Sequence, residues 1–165
     1  MACGGSSSSS GVPSDTAVPS LTVAEKDSIC QAHNDYFIAQ IGSAQGYCRW
    51  KAQTYAEGQT DAELQSSCTM AEDRCVAEDL DLFEVAKEGL NCDQAEPLAL
   101  TFLYRYQNCD ATAGQLEQCG FDMIDAQVSL RAVPCSAYTL ARDTASTSQV
   151  DVESCKAIEL SCSAE

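Results

Sequence analysis

The chain has 165 residues, with 9 Lys+Arg against 25 Asp+Glu, one His and 11 Cys, giving a formal net charge of −16. So acidic a surface repels phosphate backbones and anionic headgroups, which argues against nucleic-acid binding and against membrane attachment by charge. The 45% of hydrophobic residues suffices for a packed core, and no run of about 18 apolar residues offers a membrane span.

Cys3 stands apart from the other ten cysteines, separated by Gly4, Gly5, Ser6 to Ser10, Gly11 and then Val12-Pro13-Ser14. A Gly/Ser stretch buries little apolar area, so residues 1–20 are expected to form a flexible tether ahead of a domain over 21–165. Met1-Ala2-Cys3 resembles the end of a bacterial lipoprotein signal, in which a small residue precedes the cysteine that takes the lipid. Neither a basic n-region nor an apolar h-region stands before it. With ten other cysteines free to pair evenly, Cys3 is expected to carry the lipid in the native protein.

Helix starts come next in the chain. Thr22-Val23-Ala24-Glu25, Thr60-Asp61-Ala62-Glu63 and Thr112-Ala113-Gly114-Gln115 are capping boxes, in which hydroxyl and acid or amide each satisfy a free backbone donor. Thr147 occupies the corresponding place before Cys155 but lacks the partner side chain. Leu64, Cys68, Ala71 and Cys75, and then Leu116, Cys119, Met123, Ala126, Leu130 and Val133, advance by threes and fours, as one helix face does. The first half therefore reads as a helix over about 22–42, a turn through Gly42 to Gly46, a segment over about 47–57 and a return over 61–78. Connecting helices are expected over 80–109, where Leu98, Phe102, Tyr106 and Cys109 share a stripe.

Zinc sites need close pairs such as C-x2-C, and the closest spacing here, Cys68 to Cys75, leaves six residues between. The ten cysteines after Cys3 therefore read as disulfides of an oxidising compartment. Cys48, Cys68 and Cys75 are spaced by 20 and 7, as are Cys135, Cys155 and Cys162 at an offset of 87, with neighbouring residues matching. Cys30 and Cys119 extend the match with a two-residue slip. The chain is thus expected to be all-α, a disulfide-stapled antiparallel helical bundle of two related three-segment repeats, about 22–78 and 112–165. At about 1.5 Å rise per residue, Cys48 falls level with Cys75 and Cys30 with Cys68, and by repetition Cys135 with Cys162 and Cys119 with Cys155. Cys92 and Cys109 remain. Their pairing would require a helix break, at Pro97 for instance, or a different network.

The lipoprotein-like start, the Ser-rich linker, and Cys109-Asp110-Ala111-Thr112-Ala113-Gly114 through Cys119, Pro134-Cys135 and Cys155-x6-Cys162 resemble the small cysteine-rich lipoproteins of myxobacteria-like species. Residues 109–162 carry most of the likeness. The resemblance implies an envelope surface location and a helical disulfide fold, and no activity.

His33 is the only imidazole, within Cys30-Gln31-Ala32-His33-Asn34-Asp35-Tyr36. That string is similar to the helix of secreted calcium-dependent phospholipases, where His activates water beside a calcium-binding carboxylate. Here Asn34 separates His33 from Asp35, and a capped helix start stands where those enzymes place a glycine-rich calcium loop. His33 is expected to be structural or partly exposed, since its spacing from Cys30 and Phe37 is that of a core-edge position. Glu72, Asp73, Glu78, Asp79, Asp81, Glu84, Glu88, Asp93 and Glu96 crowd residues 72–96, but no Asp-x-Asp-x-Asp-Gly loop organises them, and a solvated face is expected. Serine-nucleophile motifs and phosphate-cradling glycine loops are missing. The expectation is a non-enzymatic binding or structural protein of the cell envelope, tethered by lipid, without cofactor or metal, its partner an envelope protein or ligand. The alternative is a small calcium-dependent lipolytic hydrolase using His33 and Asp35.

Overall fold

The computed structural model describes residues 10–78, 83, 109–147 and 152–162. Among them the chain forms six α-helices: α1 (Val23–Ile41), α2 (Ala44–Tyr55), α3 (Asp61–Glu78), α4 (Ala113–Arg131), α5 (Leu140–Thr147) and α6 (Glu153–Cys162). Two 3-10 turns, Val18–Ser20 and Cys135–Ala137, complete the described elements, and no strand occurs among them. Cys3, where lipid attachment is expected, the segment expected to form connecting helices over 80–109 apart from Phe83 and Cys109, with Cys92, Pro97, Leu98, Phe102 and Tyr106, and the acids beyond Glu78 lie outside the described residues.

All three capping boxes form. Thr22 N–H donates to Glu25 Oε2 at 2.8 Å while Glu25 N–H donates to Thr22 Oγ1. Thr60 with Glu63 and Thr112 with Gln115 repeat the exchange. Each box satisfies two donors that a helix start otherwise leaves to water. The turn after α1 is shorter than expected, because Ser43 Oγ accepts from Gly46 N–H at 3.0 Å and lets α2 begin at Ala44. Only Gly42 and Ser43 remain outside the helices, and Gly42 takes φ +74°, where a side chain would be strained. Thr147 does not start a helix as its place in the repeat suggested. It ends α5, and the next described helix begins at Glu153.

Residues 10–20 are not the flexible tether expected of them. From Ser10 onward the chain is a bonded strap: Ser10 N–H donates to Glu117 Oε1, Gly114 N–H to Ser14 O, Ala113 N–H to Thr16 O, and Val18 N–H to Ala111 O. Ala17 and Thr112 form an isolated antiparallel bridge. Val12, Val18 and Leu21 are buried. The Gly/Ser composition had hidden these three apolar anchors, whose burial offsets the cost of ordering the segment.

The chain divides into two compact units, each assembled from separate stretches: Met1–Tyr36, Gly89–Asp122 and Val152–Glu165 in the first, Phe37–Glu88 and Met123–Asp151 in the second. In the first unit Ile29, Leu116 and Ile158 have no exposed surface. In the second, α2 packs on α3, and α3 on the turn at Cys135–Ala137. Ala52, Cys68 and Cys135 cluster there with Ala56 and Ala71 against them. Tyr138 is wholly buried, and its hydroxyl donates to Asp143 Oδ1 at 2.9 Å.

Four disulfides are described: Cys48–Cys75, Cys68–Cys135, Cys109–Cys162 and Cys119–Cys155. The first and last are the expected pairs. Cys68 bonds Cys135 and not Cys30, and Cys162 bonds Cys109 and not Cys135, so Cys109 is not joined to Cys92. Cys30 is also disulfide-bonded, to a cysteine outside the described residues. The exchange of partners has a tertiary cause: α3 lies against the Cys135 turn, so the sulfur level with Cys68 comes from far along the chain. Helix rise alone compares heights within one hairpin and does not register a neighbour brought in from elsewhere.

Candidate functional site

His33 lies on α1 in the face that carries Ile29, Cys30 and Ala32, and only 1% of its surface is exposed. Its Nε2 lies 3.1 Å from the carbonyl oxygen of Glu117 on α4. A carbonyl only accepts, so Nε2 carries the hydrogen and donates it. Phe121 meets the imidazole edge-on, with ring centroids 5.1 Å apart, and Tyr36 stacks obliquely on the same Phe121 at 4.8 Å. Gly120 completes the seat, since a β-carbon there would overlap the ring. Burial pushes the His33 pKa below its ordinary value, and the hydrogen bond to Glu117 O offsets this only in part, so the ring is neutral at pH 7.

Asp35 is exposed two residues on, and its Oδ1 accepts from Gln31 Nε2 at 3.0 Å on the outer face of the same helix. The fold therefore does not bring His33 and Asp35 together. A helix advances about 100° per residue, so i and i+2 point to opposite faces, and the Asn34 that interrupts the dyad in sequence separates it in space. His33 is buried more deeply than a core-edge position. Its neighbour is Phe121, while Phe37 meets Trp50 with centroids 4.9 Å apart.

The second unit holds its own aromatic group. Tyr47, Trp50 and Phe83 lie within ring-contact distances of one another or of Phe37. The Arg131 guanidinium sits 5.4 Å above the Trp50 ring, a cation–π geometry, and Arg131 Nη1 donates to Gln127 Oε1. Beside them Gln53 is fully buried and its Nε2 donates to Val133 O at 2.6 Å. Arg49 pairs with Glu72 at 3.1 Å, which takes the first of the clustered acids out of any bare anionic face. Asp73 and Glu78 are exposed, as expected of a solvated face.

Among the described residues no group of three or more His, Cys, Asp or Glu side chains is placed to hold a metal ion. No helix among them is long and apolar enough to cross a membrane. Sequence reasoning missed the partners of His33. The signal was present in Gly120, an unexplained glycine in a helix interior, a position that costs about 1 kcal/mol relative to Ala unless a neighbour needs the space. Comparison with known proteins finds no matching family model, no matching curated protein and no matching solved structure.

Proposed function

We propose that the protein is an exported, lipid-tethered helical domain of the bacterial cell envelope, acting as a binding or structural module and not through a catalytic centre. One observation carries this reading: all nine described cysteines are oxidised, eight in four described bonds and Cys30 in a fifth. Disulfides of this number persist in oxidising compartments and not in a reducing cytosol. Cys3, next to Ala2 and ahead of the strap, supplies the point of lipid attachment. Its lipid is the membrane contact of a chain whose net charge of −16 opposes adsorption by charge.

The lipolytic alternative draws no support from the geometry, because His33 is enclosed and hydrogen-bonded to a backbone carbonyl while Asp35 faces away. Expression behind a full signal peptide tests the proposal. The wild type is expected in the envelope membrane fraction with Cys3 acylated, and Cys3→Ser is expected to be released or left unprocessed. A Cys3→Ser protein processed and fractionating like wild type would make the chain a secreted soluble protein. Crosslinked partner capture from envelope extracts then identifies what it binds. Calcium-dependent fatty-acid release, abolished in His33→Gln with the helical fold intact, would reverse the non-catalytic reading.

A further inference from the structure

The strap determines how much freedom an anchor at Cys3 leaves the domain. Had residues 4–20 all been linker, the domain would sit tens of ångströms from its lipid and turn freely. Instead the chain is bonded to its own domain from Ser10. Four backbone donors tie Ser10, Ser14, Thr16 and Val18 to the segment from Ala111 to Glu117, and Val12 and Val18 are buried beneath them. Gly114 lets the strap approach, since a β-carbon there would come within 2.9–3.3 Å of Ser14 atoms, backbone among them. Between Cys3 and Ser10 lie seven Cα–Cα steps, which in any conformation reach at most about 25 Å.

Resting on the lipid-tether reading above, we infer that the strap selects the face of the first unit that meets the bilayer: the surface around Ser10–Thr16 and the start of α4, Thr112–Gln118, is held toward the headgroups. The partner of that surface is the lipid bilayer into which Cys3 is anchored. Its composition suits a wet interface and not insertion. Ser14, Asp15, Asp110, Gln115 and Gln118 are exposed there with no base to offset the acids, so charge does not hold this surface to the headgroups; the short reach from Cys3 alone keeps it facing them across a hydrated layer, and the acyl chains alone enter the hydrocarbon.

The experiment uses the full lipidated chain in nanodiscs of phosphatidylethanolamine and phosphatidylglycerol containing a small fraction of gadolinium-chelated headgroups, read as paramagnetic broadening of backbone amides. Broadening is expected to be strongest at Ser10–Thr16 and Thr112–Gln118. Inserting about 20 Gly/Ser residues between Ser9 and Ser10 should reduce that broadening about eightfold, following the roughly −3/2 power dependence of effective concentration on tether length, with the chain still lipidated and bound. This variant leaves every bond of the strap intact, so its fold is not at risk. A bound wild type whose broadening is uniform, or strongest elsewhere, overturns the orientation and leaves the tether standing. A chain that never becomes acylated at Cys3 overturns the tether reading and the orientation with it.

Discussion

A β-carbon at Gly120 would overlap the His33 ring, and that ring is enclosed and held by its bond to Glu117 O. Two effects compete in Gly120→Ala. Replacing a helix-interior glycine gains up to about 1 kcal/mol, whereas forcing a methyl group into a filled core costs about 1–3 kcal/mol. The clash wins because the imidazole has nowhere to retreat, so Gly120→Ala is expected to lower stability by about 1–2 kcal/mol in urea titration. His33→Ala in the same chain should recover part of that loss as a coupling in a double-mutant cycle, and additivity of the two changes would contradict the contact. His33 also sets a pH dependence. Its folded pKa lies below the unfolded value of 6.5, so the unfolded chain binds the extra proton. Stability is then fully present above pH 6.5 and is lost as pH falls below it. His33→Gln should flatten that slope. The exposed carboxyls of Glu25 and Glu63 are held below their usual value chiefly by backbone hydrogen bonds. Their contribution disappears only as pH falls below 4.5, outside the histidine window.

The elements owe their limits to short-range chemistry. A capping box closes over four residues, so Thr22, Thr60 and Thr112 could be placed from the sequence, and each helix starts one residue later as written. Thr60→Ala is expected to cost about 1 kcal/mol, and Thr60→Ser much less, since the serine hydroxyl still accepts from Glu63 N–H. An equal loss in both variants would point to packing of the methyl group. The strap was not legible because its stability is tertiary. Nothing within Ser10–Leu21 announces that Val12, Val18 and Leu21 will find burial, or that Ala111 to Glu117 will supply bonding groups. Gly114→Val is expected to displace the strap and expose it to protease near Ser14, while α2 and α3 keep their amide protection.

At the scale of the whole molecule the staples join residues 27, 67, 53 and 36 apart. In the chain-entropy model such loops are worth about 3.5–4.5 kcal/mol each, comparable to much of a small domain's net stability. Reductant should therefore unfold the protein near room temperature, seen as loss of helical circular dichroism. Peptide mapping without reduction should recover Cys68 joined to Cys135 and Cys109 joined to Cys162. Peptides joining Cys30 to Cys68 or Cys135 to Cys162 would restore the repeat-based scheme. Cysteines that share the 20-and-7 spacing take different partners: Cys68 bonds Cys135 whereas Cys155 bonds Cys119, and Cys75 bonds Cys48 whereas Cys162 bonds Cys109.

What the sequence by itself determined is local. Helices follow from threes-and-fours spacing and from caps that close within one turn, and oxidised cysteines follow from their number without metal-ligand spacing. These signals rest on interactions between residues at most four apart, or on composition. The partner of Cys68, the seat that Gly120 and Phe121 make for His33, and the docking of Ser10–Leu21 were decided by tertiary structure. Each joins groups 67 to 107 residues apart along the chain. Their proximity depends on how the helices pack, and one-dimensional spacing on a helix face specifies that a residue is buried without specifying against what.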